Sequence, residues 1–180
     1  MSDVRTRLPA QGATEPVVGG GLREDKVEGV VSTFREAYDA RDIDAVVELF
    51  AEDGDWSVSL GTFTGEKELR RLLEWDVGLS PSLSSREFGM GLVAKGNLAV
   101  NERVIEQKIE SVRIAYPVLT AFELNDVGKI QHARSYYDKL GILRQVANEL
   151  PGIKGWFFKT LVNFVAAQGE KGIERPHKLT

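Results

Sequence analysis

The sequence predicts a single α+β domain in which a curved antiparallel sheet wraps around helices and forms a conical cavity. Three observations predict this fold. Apolar residues recur at helical spacing before residue 80, apolar and polar residues alternate from residue 86 to 138, and short turns join the alternating segments. Helices followed by a run of strands are typical of the α+β class. A strongly bent sheet with helices on its concave side encloses a natural small-molecule site.

The first half of the chain is predicted to hold three helices and a strand. Apolar residues at helical spacing predict the first helix over residues 23–40. Asp42 is the predicted N-cap of a short helix, IDAVVELF, and Thr64 is the predicted cap of a third, EKELRRLLEW. Between them DWSVSLGTF alternates as a strand, which places Trp56 and Val58 on one side.

The second half is predicted to be mainly β-structure. A loop, SPSLSS, precedes REFGMGLVA, LAVNERVIEQKIE, VRIAYPVLTAFEL and KIQHARSYYD, whose alternation and short turns predict an antiparallel meander. DKLGILRQVANEL then resumes helical spacing, with Asp138 as its predicted cap. After a Pro-Gly break, the very apolar segment at 153–168 predicts a last helix, which could be a lid, a homodimer contact or part of the core.

The bulk properties divide the chain and exclude several functions. Residues 1–22 are predicted to be a flexible leader, residues 23–168 one domain, and residues 169–180 a polar tail. The net charge of -4 argues against nucleic-acid binding. The chain has no cysteine and only two histidines, so we expect no thiolate or histidine-rich metal site and no cofactor. Without a secretory signal or a long apolar run, the sequence predicts a cytoplasmic protein with no membrane span.

Three stretches carry a resemblance to a known family: AYDARDIDAVVELFAEDGDW, NERVIEQ and GKIQHARSYYDKLGILRQ. They resemble the nuclear transport factor 2-like superfamily, in particular the SnoaL-like polyketide cyclases, limonene epoxide hydrolase and the ketosteroid isomerases. The resemblance covers roughly residues 24–150. It implies the conical α+β fold, a cystatin-type roll, together with a hydrophobic small-molecule substrate and a homodimer. It does not select one reaction, because this scaffold hosts isomerases, dehydratases, cyclases, hydrolases and non-catalytic binders.

The sequence departs from these families at their catalytic positions. The epoxide hydrolases' strand Arg-Val-Asp corresponds to Arg103-Val104-Ile105, and the pocket aspartate of their closing strand corresponds to Ser135. Their water-holding Tyr and Asn align with Trp56 and Val58. The general base of ketosteroid isomerase also falls near Val58. The cyclases' acid/base aspartate aligns with Ser135 or Asp138.

Strand alternation, phased on Arg103, predicts which side chains face the pocket. His132 faces outward in this phase. Arg103 could bind an anionic or enolic oxygen, or pair with an internal carboxylate such as Asp55. On the outer face, Glu102 and Arg134 are predicted to form a cross-strand ion pair. The candidate catalytic residues are Arg103, Tyr116, Tyr137 and Ser135, and the candidate substrate-binding residues are Trp56, Val58, Ile105, Gln107, Val118, Thr120, Phe122 and Tyr38.

This pocket is predicted to lack an inward-facing carboxylate. The sequence therefore favours a cofactor-independent isomerase, cyclase or lyase acting on a hydrophobic oxygenated molecule that is polyketide-, terpenoid- or steroid-like. In it, Arg103 and a tyrosine would stabilise an oxyanion. Two alternatives stay open: a non-catalytic small-molecule-binding or accessory protein, and an epoxide hydrolase with a displaced acid.

Overall fold

A computed structural model describes residues 22–78, 80, 82–109, 112–149 and 160. The predicted leader, apart from residue 22, lies outside the described residues. The predicted helix at 153–168, apart from residue 160, and the tail at 169–180 also lie outside them. The described helices are α1 (Glu24–Asp39), α2 (Ile43–Glu48), α3 (Gly65–Gly78) and α4 (Lys139–Glu149).

One curved, unclosed sheet of six strands forms the scaffold, and its strands lie in the order β2-β1-β6-β5-β4-β3. The antiparallel meander from β3 to β6 and the α+β fold class are confirmed. A register shift between Glu87 and Leu92 interrupts the β3–β4 pairing, and such irregularities increase local twist. The strands are β1 (Phe50–Val58), β2 (Gly61–Thr64), β3 (Ser82–Lys95), β4 (Leu98–Ile109), β5 (Val112–Leu124) and β6 (Ile130–Tyr137).

The sheet differs from the sequence prediction in three places. The segment predicted as one strand, DWSVSLGTF, is a hairpin, because the chain reverses after Val58 and Gly61 adopts a φ of 148°, which favours glycine. The predicted loop SPSLSS already contributes to β3, which begins at Ser82. β1 pairs with β6 in parallel, with Trp56 opposite Ala133, so the sheet is not antiparallel throughout.

Side-chain caps fix two helix starts as predicted. The Asp42 carboxylate accepts a hydrogen bond from the backbone N–H of Ala45 at 3.0 Å, and Asp138 accepts one from Gly141 at 2.9 Å. At the start of α3 the capping contact runs the other way, since the backbone N–H of Thr64 donates to the Glu68 carboxylate at 2.8 Å. None of the described helices is long and apolar enough to cross a membrane.

An aromatic cluster joins α1 to the concave face of the sheet. Phe34 lies at its centre, with ring centroids 5.3 Å from Trp56 of β1 and 5.1 Å from Phe122 of β5. Both contacts are edge-to-face, a geometry that aromatic pairs favour. The cluster fills one end of the concave face and leaves the other end open as a cavity.

Candidate functional site

The cavity lies between the concave face of the sheet and helices α1 and α3. It encloses about 470 Å³ of space counted to its open mouth. Its walls are Tyr38, Trp56, Val58, Leu60, Leu72, Trp75, Asp76, Arg103, Ile105, Tyr116, Val118, Ser135 and Tyr137.

Arg103 of β4 projects from the sheet into this cavity. Its side chain is almost fully buried, and its guanidinium carbon lies 5.2 Å from the Tyr38 ring centroid and 5.8 Å from that of Phe34. Nε and Nη1 are buried and make no hydrogen bond to any described residue, so the two rings are their main partners. Burial lowers the pKa of Arg103, and the nearby Tyr38 and Asp39 oppose this shift.

Asp76 brings a carboxylate to the same cavity from the last turn of α3. The Tyr38 hydroxyl donates a hydrogen bond of 2.5 Å to Asp76 Oδ2. Burial raises the pKa of Asp76, while this hydrogen bond and the charge of Arg103 act to lower it. The pKa of Tyr38 is raised by burial and by Asp76, so its hydroxyl keeps its proton and remains the donor. A carboxylate and a guanidinium thus face one apolar space.

Two tyrosines form the wall opposite α1. Tyr116 of β5 and Tyr137 of β6 have ring centroids 5.8 Å apart. Burial raises the pKa of Tyr116, which keeps its hydroxyl protonated and able to donate a hydrogen bond. The Tyr137 hydroxyl instead shares a 2.7 Å hydrogen bond with the Ser59 hydroxyl in the β1–β2 turn. Tyr116 is therefore the freer of the two donors.

Ser135 is engaged within the wall itself. Trp56 Nε1 donates to its hydroxyl oxygen at 2.9 Å, and the Thr120 hydroxyl lies 3.0 Å from the same atom. These contacts join β1, β6 and β5 behind the cavity. A nucleophilic serine needs an adjacent base, and neither partner is one. The arrangement fixes the position of Trp56 in the wall.

Comparison with known proteins assigns the family. The SnoaL-like domain family matches residues 31–133, more than half of the chain. The chain belongs to the SnoaL-like domain family. A search of curated proteins found no match. The matched residues run from α1 to β6 and include Tyr38, Asp76 and Arg103, so these three groups of the cavity lie within the SnoaL-like region.

A solved structure shares the fold of this SnoaL-like domain. It is a hypothetical protein with a ketosteroid isomerase-like fold from Catenulispora acidiphila DSM 44928, in complex with trimethylamine. The TM-score is 0.60 at 19% sequence identity, and the match covers 68% of this chain and 97% of the other. At this identity the likeness establishes the shared fold alone.

Nine of the twelve candidate site residues of the SnoaL-like domain line the cavity, and three do not. Thr120 is fully buried behind the wall, bonded to Ser135. Phe122 packs on Phe34 in the core, so it lies deeper than the cavity. Gln107 lies nearer the mouth, beside a second chamber. The residues that do line the cavity are Arg103, Tyr116, Tyr137, Ser135, Trp56, Val58, Ile105, Val118 and Tyr38.

The prediction that no carboxylate faces the cavity is wrong, because Asp76 lines it. The strand alternation used to predict the pocket does not apply to Asp76, because Asp76 comes from a helix. The signal was present: Leu69, Leu72 and Leu73 are buried, and Asp76 continues their i, i+3, i+4, i+7 spacing. A polar residue on the apolar face of a helix is the pattern that would have found it.

Two predicted ion pairs are also wrong in their partners. Asp55 does not pair with Arg103, because β1 places it beside His132 on the outer face, with 2.6 Å between Asp55 Oδ2 and His132 Nδ1. Arg134 contacts Glu123 at 3.5 Å. Glu102 instead accepts a hydrogen bond from the backbone N–H of Met90 at 3.0 Å.

A second chamber of about 590 Å³ adjoins the mouth of the cavity. The two spaces share Asp76, Tyr116 and Tyr137 among their walls, so they meet where the polar groups lie. Ile142 and Leu143 of α4 supply apolar surface to the outer chamber. Among the described residues, no group of three or more His, Cys, Asp or Glu residues is placed to hold a metal ion.

Proposed function

We propose that this SnoaL-like domain catalyses a cofactor-independent isomerisation, cyclisation or related lyase reaction on a hydrophobic, oxygenated small molecule. Polyketide-, terpenoid- and steroid-like carbonyl compounds are the substrate class. One observation carries the proposal: the Asp76 carboxylate faces the same cavity as the Arg103 guanidinium, whose Nε and Nη1 make no hydrogen bond to a described residue. Such a pair of groups, with burial raising the pKa of the acid, is typical of proton transfer at carbon.

Asp76 acts as the general base in this proposal. It takes a proton from the carbon next to a substrate carbonyl, the C–H bond breaks, and its electron pair moves onto the carbonyl oxygen. The resulting enolate either regains the proton at another carbon, attacks a second carbonyl within the substrate, or expels a leaving group. A base with a raised pKa is stronger than an exposed aspartate, which favours this step.

Arg103 and Tyr116 stabilise the enolate oxygen. The guanidinium is held in place by the rings of Tyr38 and Phe34 before any substrate binds, so it needs no reorganisation as charge develops. Tyr116 adds a hydrogen bond from a hydroxyl that stays protonated, because burial raises its pKa. The surrounding apolar walls exclude water and strengthen both interactions.

Proton exchange tests the proposal directly. Cyclic ketones such as 2-tetralone are incubated with the protein in D₂O, and loss of the α-proton signal is followed by ¹H NMR. We expect the wild type to accelerate exchange and Asp76→Asn to slow the enzymatic rate by about 10²- to 10⁴-fold. Asp126→Asn, which removes an exposed carboxylate from the β5–β6 turn, is the matched control and should behave as wild type. Exchange that is unchanged in Asp76→Asn would refute the assignment of the base.

Asp76 also supports a second candidate, epoxide hydrolysis with a displaced acid. In that reaction the carboxylate takes a proton from a water molecule, whose oxygen attacks an epoxide carbon. The C–O bond of the ring breaks, and the released oxygen takes a proton from solvent water. Reaction of a terpenoid epoxide in H₂¹⁸O should then give a diol carrying one ¹⁸O atom. A product without the label would end this candidate.

A binding protein without catalytic activity is the remaining alternative. It predicts that 2-tetralone binds equally well to the wild type and to Asp76→Asn, with no exchange above the buffer rate in either. Calorimetric titration beside the NMR experiment separates this outcome from catalysis.

A further inference from the structure

A second carboxylate, that of Asp39, directly follows Tyr38, whose ring contacts Arg103, but it lies outside the cavity walls. Asp39 is the last residue of α1, at the end of the helix that carries the negative partial charge of the helix dipole. The last turn of α1 holds no basic residue. The helix dipole destabilises an acid at this position. Such a residue needs a compensating interaction elsewhere.

The Asp39 side chain is firmly held. Its Oδ2 accepts hydrogen bonds from the backbone N–H of Ser85 at 3.0 Å and from the Ser85 hydroxyl at 2.7 Å. Its Oδ1 is buried and has no hydrogen-bond partner among the described residues. Ser85 lies on β3 opposite Ile105, next to the β4 segment that carries Arg103. The carboxylate is therefore fixed in position by β3.

Asp39 and Arg103 both keep buried polar atoms without a hydrogen-bond partner among the described residues, namely Oδ1 of Asp39 and Nε and Nη1 of Arg103. The two side chains form no ion pair within 4.0 Å, yet the Asp39 charge counteracts the effect of burial on the pKa of Arg103. The charge of Arg35 acts in the opposite direction, but Arg35 is itself paired with Glu87 at 3.0 Å. Asp39 is thus a partly buried counter-ion that the guanidinium does not touch.

The charges around the guanidinium set the net charge that a ligand meets in the cavity. Arg103 contributes one positive charge, Asp39 one negative charge, and Asp76, when it acts as a base, a second negative charge. An anionic ligand would therefore enter a site that is already net negative. A neutral carbonyl compound meets no such repulsion, and proton transfer to Asp76 only moves one negative charge onto the ligand oxygen near Arg103.

We propose that Asp39 is the fixed counter-ion of Arg103 and makes the cavity select neutral carbonyl ligands over carboxylates. This proposal rests on the proposed function only in taking the cavity as the ligand site. Asp39 is a positioning residue, because it acts through Arg103 and lines no part of the cavity. Without its charge, Arg103 is free to neutralise an anionic ligand.

Isosteric ligands that differ in charge test the proposal. The dissociation constants of 4-ethylbenzamide and 4-ethylbenzoate are measured by calorimetry at pH 7. For the wild type we expect the amide to bind about tenfold more tightly, and for Asp39→Asn we expect this ratio to fall to about one. Asp39→Glu keeps the negative charge and should therefore keep the preference for the amide. Asp76→Asn is the second charge-removing variant and should also raise benzoate affinity.

Two controls separate charge from structure. Ser85→Ala removes the hydroxyl that holds Asp39 but keeps the carboxylate, so it should retain the preference for the amide. Asp126→Asn changes the net charge equally on an exposed turn and should have no effect. A wild type that binds benzoate as tightly as the amide, or an unchanged ratio in Asp39→Asn, would overturn the proposal, as would failure of both ligands to bind at millimolar concentration. None of these measurements needs turnover. Failure of the proposed catalysis can therefore be distinguished from failure of the proposed role of Asp39.

Discussion

Each face of the sheet carries a basic side chain near a carboxylate, and the two arrangements differ mainly in their surroundings. On the concave face, Arg103 and Asp76 lie within an apolar cavity beneath α1 and α3. On the outer face, Asp55 and His132 approach to 2.6 Å with a side-chain exposure of 20% and 38%. The outer contact is direct, yet solvent weakens it. The inner charges are separated further but are buried, and burial raises the pKa of Asp76 and lowers that of Arg103.

This difference shows that the surroundings, more than distance, decide which charged groups matter. A buried charged group that loses its partner cannot be hydrated by solvent, whereas an exposed one can. The inner cluster should therefore dominate stability and chemistry, and the outer pair should affect neither strongly.

Replacing Arg103 with alanine should break the inner cluster completely. The change leaves a cavity beneath Phe34 and Tyr38 and removes the positive charge that acts on the carboxylates of Asp39 and Asp76. We expect the free energy of unfolding to fall by about 3–5 kcal/mol, measured by urea denaturation. Arg103→Met, which keeps most of the volume, should recover part of this loss. A loss below about 1 kcal/mol for alanine would contradict the importance of this charge.

Tyr38→Phe should weaken the cluster while preserving its packing. It removes the 2.5 Å hydrogen bond to Asp76 and keeps the ring that contacts Arg103. A hydrogen bond to a charged group contributes about 1.5–3 kcal/mol, so we expect a destabilisation in that range. Since this bond lowers the pKa of Asp76, its removal should raise that pKa further, as followed by ¹³C NMR of the carboxyl carbon. A lower pKa in the variant would be inconsistent with the assigned donor.

The pH dependence of stability should distinguish Asp76 from an exposed acid. Its pKa is raised in the folded protein, so the folded state binds the proton more tightly than the unfolded chain does. Asp76 therefore disfavours folding increasingly as pH rises from its unfolded pKa through its folded pKa. The stability of Asp76→Asn relative to wild type should increase over the same pH range. Thermal unfolding at several pH values measures this difference, and a constant difference would rule out the shift.

Asp55→Asn on the outer face should have the smallest effect. Its contact with His132 is partly exposed, and such pairs contribute at most about 1 kcal/mol. We expect a change in unfolding free energy below that value and no change in ketone exchange or ligand selectivity. A large loss of exchange activity would instead place a functional group on the outer face and remove the contrast between the two faces.

The sequence predicted much of the sheet because alternation has a period of two. Phasing on Arg103 alone assigned Ile105, Tyr116, Val118 and Tyr137 to the face that the structure shows lining the cavity. Strand alternation does not show which residues of that face pack under helix α1 and which line the open cavity. For this reason Phe122, on the correct face, lies in the core beneath Phe34.

The helices contributed what sequence reasoning missed. Asp39 and Asp76 come from different helices, and their proximity to one arginine depends on how α1 and α3 pack on the sheet. Helical spacing places Asp76 on an apolar face, but only tertiary packing brings that face to the guanidinium. The partner of Asp55 was also decided by the parallel β1–β6 pairing, which no local pattern indicates.

That parallel pairing has a consequence for how the domain is assembled. Phe50 pairs with Ile130, and the Trp56 indole is bonded to a residue 79 positions later in the chain. The wall of the cavity that β1 and β6 form together consequently stays unformed until the ribosome has made nearly all of the described domain. Contacts of such long sequence separation slow folding and leave early intermediates with exposed strand edges. A nascent chain that stops before residue 130 would hold the two helical acids and the arginine, but it would lack the part of the cavity wall that Ser135 and Tyr137 form.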